Sequence, residues 1–346
     1  MKQVCRIGLD IAKNKFQVHG VDKNGKDVFN KQLNRKNVLQ FFANLSVCKV
    51  GLEACGGAHY WAREIEKLGH SVGLISPRQV KPFVINNKTD AADARAICEV
   101  VGRPSTRFVT VKTIEQQDLS AWHTIRERVI KNRTALANQI RGLLSEYGIV
   151  FPKGMNNLRK HLPEIIEDRD NVLSITARDF FSDLYLELHD ADERVAQLDL
   201  KIKIMAKTHD LCKRIMKIPG IGPITSTALV AHIGDGKHFK NGRSLAAYLG
   251  LTPKEYSSGG KHKRLGITKR GNVYLRKLLV QGARNVHRAW VNAVHTASDP
   301  RKTWIKGVSE RRGKFMASVA LANKTARIVW AVLARGEEYT PALAHG

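Results

Sequence analysis

The chain has 346 residues, with 58 Lys and Arg against 31 Asp and Glu, for a formal net charge of +27 and a pI near 10.1. A surplus of that size makes a polyanion, nucleic acid first of all, the expected partner, and 43% hydrophobic residues exclude a disordered basic protein. No run of eighteen apolar residues and no secretory leader are visible, so the expectation is a soluble, cytoplasmic protein with no membrane partner. Cys5, Cys48, Cys55, Cys98 and Cys212 form no CxxC pair and no zinc-like spacing, which reads as free thiols.

Charge divides the chain in three. Residues 1–112 carry 19 basic and 9 acidic side chains, residues 113–205 carry 13 and 15, and residues 206–346 carry 26 and 7. Two basic ends suited to phosphate flank a near-neutral middle suited to protein contact.

The first region reads as α/β. VCRIGLD, FQVHGVD and DVFNKQL are short strands, the second and third joined by hairpin chemistry at DKNGK. NVLQFFANL follows as a helix, CKVGLE as a strand, HYWAREIEKLG as a helix closed by Gly69, and HSVGLIS as a strand. Thr89 to Val101 is helical, with Thr89 or Asp90 as its cap. The pattern predicts a mixed sheet covered by helices.

The middle region is helical. Leu184, Leu188, Ala191, Val195, Leu198, Ile202 and Met205 are spaced four and three apart, three heptads that predict a coiled coil or an antiparallel helical hairpin. A helix from about Ile114 to Tyr147 repeats Val129, Leu136 and Leu143 and could be its partner, and the segment's lack of basic charge favours a role in homo-oligomerisation, as dimer or tetramer.

The third region opens with KIPGIGPITSTALVAHIGD. Pro219, Gly220, Ile221 and Gly222 between two helical stretches make a helix-hairpin-helix pattern, whose glycine turn would offer N–H groups to a DNA phosphate; a plain turn between packed helices is the other reading. Further on, Lys254 to Lys277 holds eight Lys or Arg and the single acid Glu255. Lys254, Lys261, Lys263, Arg264, Lys269, Arg270 and Arg276 are candidate phosphate contacts in what reads as a basic loop. Lys314 to Leu333 is helical, packing the C-terminal domain, with Lys324 and Arg327 as candidate backbone contacts.

Against this basic background four acids stand out: Asp10 in GLDIAKNKF, Glu53 in VGLEACGGAHYW, and Asp90 and Asp93 in KTDAADARAI. Asp10 and Glu53 end apolar runs, and Asp90 and Asp93 lie three apart on a helix face. Two carboxylates about 6 Å apart repel by about 3 kcal/mol at an effective dielectric near 20, so four together oppose folding unless a cation neutralises them. An all-oxygen set favours Mg2+, with Mn2+ possible, and suits a two-metal arrangement for phosphoryl chemistry. Taken singly, the same acids read as strand-end turns and as helix-start charges that complement the macrodipole.

These motifs resemble those of the DEDD-type transposases of the insertion-sequence one-ten and eleven-eleven group, and the resemblance continues through IPGIGPITSTALVAHIGD, LAAYLGLTPKEYSSGGKHKRLGITKRGNVYLRKLL and ALANKTARIVWAVLARGEEY. It implies an α/β plus all-α protein: a RuvC-like (RNase H-like) catalytic domain at 1–112, a helical coiled-coil region at 113–205, and a helical transposase domain with a helix-hairpin-helix at 206–346. It implies Mg2+ on Asp10, Glu53, Asp90 and Asp93, and a serine that attacks DNA to form a phosphoserine. The family's serine precedes a glycine after GLTP, which falls on Ser258 here, with Ser257 in reserve. It also implies a composite site between protomers and a noncoding guide RNA that pairs with donor and target DNA. Two other readings stay open on the residues: a resolvase-like nuclease in which metal-activated water attacks, and a non-enzymatic nucleic-acid scaffold.

Overall fold

The computed structural model describes residues 3–85, 87, 89–292 and 300–341. Lys88, the first residue of the KTDAADARAI motif, lies outside the described residues. The chain packs as two compact units, Met1–Thr113 and Ile114–Gly346.

The first unit is a mixed sheet with helices. In chain order it holds β1 (Arg6–Asp10), β2 (Lys15–Val21), β3 (Asp27–Asn34), α1 (Val38–Ala43), β4 (Lys49–Glu53), α2 (Ala58–Lys67), β5 (Ser71–Ile75), α3 (Pro77–Val80), α4 (Asp90–Val101) and β6 (Phe108–Val109). The six strands lie in the order β3-β2-β1-β4-β5-β6. β1 is antiparallel to β2 and parallel to β4, β4 is parallel to β5, and β6 closes the edge antiparallel to β5. The β2–β3 turn forms where DKNGK predicts it: Asp22 Oδ1 accepts the N–H groups of Asn24 and Lys26 at 2.9 and 3.0 Å.

Alternation along the strands sorts the side chains to two faces. Ile7, Leu9, Val50 and Leu52 go to one, where they bury with Phe16, Val18, Phe42, Trp61 and Ile65 beneath α1 and α2. The intervening positions, Gly8 and Gly51, turn to the other face. α4 covers that face, and Ile97, Val100 and Val101 form a second core there with Ile75 and Val80.

The second unit contains α5 (Ile114–Glu146), α6 (Met155–Glu167), α7 (Ile175–Thr208), α8 (Asp210–Met216), α9 (Pro223–Ile233), α10 (Gly242–Tyr248), β7 (Pro253–Ser258), β8 (Lys261–Ile267), α11 (Val273–Asn292), α12 (Pro300–Arg312) and α13 (Lys314–Ala334). Its core gathers Ile215, Ile218, Leu229, Leu245, Leu275, Leu279, Leu321 and Val329 from α8 to α13, and α9 is buried along nearly its whole length.

α5 and α7 run antiparallel. Arg126 pairs with Asp199, and Arg133 with Asp192 at 2.7 Å, two turns further along each helix in opposite chain directions. Arg159 of α6 closes on the same Asp192 with two bonds of 2.6 and 2.7 Å. The heptad residues Leu188, Val195, Leu198 and Ile202 are buried within the chain, so the apolar seam read from the spacing packs intramolecularly. The apolar side chains that α7 leaves exposed are others: Ile175, Leu186, Leu200 and Ile204.

Among the described residues no helix is long and apolar enough to cross a membrane.

Candidate active site

The four acids of the sequence reading lie in the first unit, and two glycines explain how they meet. β1 and β4 pair in register as Gly8↔Gly51 and Leu9↔Leu52. A Cβ on Gly8 would stand 2.0 Å from the Ala94 carbonyl oxygen and 2.4 Å from the Cys98 nitrogen, and one on Gly51 would stand 2.7 Å from Val101 Cβ. Neither position has room for a side chain of its own: at Gly8 the helix backbone lies directly on the strand, and at Gly51 the Ile97 and Val101 side chains of α4 fill the space.

Two residues beyond each glycine, on the same face, come Asp10 and Glu53 at the ends of their strands. Asp90 comes one turn before Ala94 and Asp93 immediately before it, both in the first turn of α4. Thr89 caps this helix, its side chain accepting the Ala92 N–H at 3.2 Å. The tripeptides Gly8-Leu9-Asp10 and Gly51-Leu52-Glu53 are thus one device used twice: a glycine admits α4, a leucine anchors the core, and an acid faces the helix start.

The electrostatics agree. Burial raises the Asp10 carboxyl from its usual range to about 6, and the charges of Asp93, Asp90 and Glu53 push the same way, against a backbone hydrogen bond from Ile11. The Cys55 thiol is raised as well, by burial and then by Glu53 and Asp10. Asp10, Glu53 and Asp93 are half-buried, and Asp90 is exposed. Among the described residues no three His, Cys, Asp or Glu side chains are already drawn in around one point as a finished metal site. The quartet is a shared negative field, and its donors are all hard oxygens of the kind that a divalent cation takes.

The serines lie in the second unit, and the basic loop expected around them is a β-hairpin. β7 and β8 pair as Ser258↔Lys261, Ser257↔His262, Tyr256↔Lys263 and Glu255↔Arg264. Gly259 and Gly260 make the two-residue turn with φ of 54° and 76°, the left-handed pair that a tight hairpin requires. The composition hid it, since a strand exposed at nearly every position shows no apolar alternation.

Pairing puts the two serines on opposite faces. The Ser257 hydroxyl donates to Glu255 Oε1 at 2.8 Å and lies 3.2 Å from His262 Nδ1, which is itself 3.1 Å from the same Glu255 oxygen. Ser257, Ser258 and His262 are exposed. Ser258 shares its face with Lys261, Tyr256 and Lys263.

Lys254, Lys261, Lys263, Arg264, Lys269 and Arg270 are exposed on or beside the hairpin. Arg276 Nη1 donates to the carbonyls of Leu249 and Arg270 at 3.1 and 3.0 Å, so it braces the hairpin's base. Gly220 and Gly222 sit between α8 and α9 and line an open groove of about 410 Å³ with Met216, Lys217, Gly282 and Asn285.

Comparison with known proteins decides the family. The DEDD transposase family of the IS110 group matches residues 7–149, and the transposase family IS116/IS110/IS902 matches residues 212–297. A probable family 20 transposase of Pseudomonas aeruginosa is 44% identical over 339 residues, covering 98% of this chain and 99% of its own. The transposase for insertion sequence element IS1111A of Coxiella burnetii is 43% identical, covering 98% of this chain and 92% of its own. The chain belongs to the DEDD transposases of the IS110 group. More remote is a pilin gene-inverting protein of Moraxella bovis, 27% identical over 80% of this chain and 81% of its own.

Membership makes the chain an enzyme that acts on DNA and depends on a divalent metal ion. The six-stranded mixed sheet of the first unit fits a RuvC-like domain.

Proposed function

We propose that this transposase cuts and rejoins the DNA strands of an insertion element through the acidic quartet Asp10, Glu53, Asp90 and Asp93 and the hydroxyl of Ser258. The observation that carries the reading is the Asp10 carboxyl, raised to about 6 on a face shared with three further acids. A fold keeps such a repulsive cluster when a cation balances it.

All four carboxylates would hold Mg2+, or Mn2+ in its place, which would supply Lewis-acid polarisation of a phosphate oxygen and charge for the departing oxygen. The chain's own residues supply the nucleophile. Oγ of Ser258 bonds to phosphorus, the P–O3′ bond breaks, the serine proton passes to a base, and the released 3′ oxygen takes a proton. Strand transfer reverses these bond changes on a second 3′ oxygen.

Charge favours Ser258 over Ser257. Lys261 and Lys263 on the Ser258 face attract a phosphodiester, whereas Glu255 ties the Ser257 hydroxyl and repels one. Ser257 stays in reserve because His262 stands beside its hydroxyl as a ready base. The remaining hairpin cations, Lys254, Arg264, Lys269 and Arg270, hold backbone phosphates, and the Gly220–Gly222 turn takes another as a helix-hairpin-helix. Arg276 acts by bracing the hairpin.

The reading extends to organisation. Residues 1–112 form the catalytic domain, 113–205 the helical oligomerisation region and 206–346 the transposase domain, with protomers as dimers or tetramers sharing a composite site. The exposed side chains of α7, and not its buried heptad seam, would meet another copy. A noncoding guide RNA selects sequence, consistent with a surplus of cations and few aromatic side chains for base reading. The protein acts in the cytoplasm, at the nucleoid.

The test is nicking of element-junction DNA, with flanking RNA, in the presence and absence of Mg2+. Strand cleavage is expected only with the ion, and Asp10→Asn and Glu53→Gln should each lower the rate by at least about a hundredfold. Cleavage that survives either substitution would remove the quartet from the chemistry, and no cleavage under any condition would favour a binding scaffold.

A further inference from the structure

The junction of α12 and α13 carries a surface that the hairpin and the quartet do not use. Six consecutive residues, Arg311, Arg312, Gly313, Lys314, Phe315 and Met316, are all exposed. Phe315 is 66% exposed and Met316 59%, although α13 buries Ala317, Leu321, Ala322 and Val329 along its inner side. These two apolar side chains are therefore not an overflow of the core. Arg284 of α11 sets its guanidinium 5.7 Å from the centre of the Phe315 ring, and the Lys314 ammonium lies 5.8 Å from it. The first turn of α13 contains no acid, and Glu310 is the acid adjacent in sequence.

Adjacent exposed apolar side chains rimmed by polar and charged residues mark an interaction surface. A ring flanked by Arg and Lys fits a nucleobase lying face-on, with its phosphates on the cations. Charge argues against a second copy of a +27 chain as the occupant, because it would bring like charge to this patch. A duplex keeps its base faces stacked and cannot offer one to the ring.

We propose that Phe315 is a stacking platform for an unpaired base of a DNA strand, whose flanking phosphates are held by Arg284, Arg311, Arg312 and Lys314. The proposal rests on the reading of the chain as a DNA-cutting transposase, in which opened strands must be kept apart from their complements. It assigns that task to α12 and α13.

The test uses the full chain and a single-stranded DNA of about twelve nucleotides carrying one 2-aminopurine, with the matching duplex and the matching RNA as comparisons at one salt concentration. Stacking should quench the 2-aminopurine. Phe315→Ala should weaken binding of the single strand about tenfold, leave duplex binding within about twofold, and abolish the quench. Phe315→Trp should restore all three. Arg311→Ala combined with Arg312→Ala should lower the salt dependence of single-strand binding by about one to two ions.

Equal affinity in Phe315→Ala, an equal loss for duplex and single strand, or preference for RNA over DNA would each overturn the proposal. Catalysis is read separately. Stacking without any nicking would sink the catalytic reading and leave this one, and nicking with no effect of Phe315→Ala would do the reverse.

Discussion

Asp10 carries the clearest physical signature in the chain. Its folded-state carboxyl titrates at about 6, above the ordinary aspartate value of 3.8, raised first by burial and then by Asp93, Asp90 and Glu53. A raised acid holds its proton more tightly in the folded state, so stability falls as pH rises through the window from about 4 to 6. Asp10 is only partly screened from water, which reduces the effect to about 1 kcal/mol, or about 2–4 °C in melting temperature. The metal-free protein should lose that stability between pH 4 and pH 7, Asp10→Asn should flatten the loss, and Mg2+ at pH 7 should recover it in the native chain alone. Differential scanning calorimetry at both pH values checks this; identical pH slopes in the two proteins would mean that the quartet's repulsion is not felt at Asp10.

At the scale of the element, the site depends on α4 lying flat on β1 and β4. Gly8→Ala would put a methyl 2.0 Å from the Ala94 carbonyl, where backbone has to move. It should cost about 3 kcal/mol in urea denaturation and should displace Asp90 and Asp93 from Asp10, removing the Mg2+-dependent thermal shift. A cost below about 0.5 kcal/mol would show that the helix is not seated there.

Much of this element was legible beforehand. The strands RIGLD and KVGLE and the capped helix from Thr89 follow from pattern and capping chemistry, and the acids follow from their odd position at the ends of apolar runs. The role of Gly8 and Gly51 was visible only as a repeated Gly-Leu-acid tripeptide, because close approach depends on which helix crosses which strand. The hairpin carrying Ser257 and Ser258 escaped the sequence because KEYSS and KHKRLGI are polar on both faces, and only the Gly259–Gly260 turn hinted at it. The heptads of α7 revealed an apolar seam but not its partner. Spacing is the same whether Leu198 and Ile202 meet α5 of their own chain or another chain, and tertiary packing made the choice.

For the whole molecule, the quartet and the serine hairpin belong to two separately packed units, which the proposed reaction would need to use together. Family membership establishes the DNA substrate and the dependence on a divalent ion, whereas a covalent serine step is what would separate the proposed mechanism from that of a nuclease that uses water. The decisive measurement is to incubate the protein with element-junction DNA, flanking RNA and Mg2+, quench under denaturing conditions, and map any DNA-linked peptide by mass spectrometry. The account predicts a phosphodiester adduct on Ser258 that is lost in Ser258→Ala and in Asp10→Asn but persists in Ser257→Ala and His262→Ala. An adduct on Ser257 lost in His262→Ala would move the nucleophile to the other face of the hairpin, and strand cleavage with no adduct at all would contradict the serine mechanism.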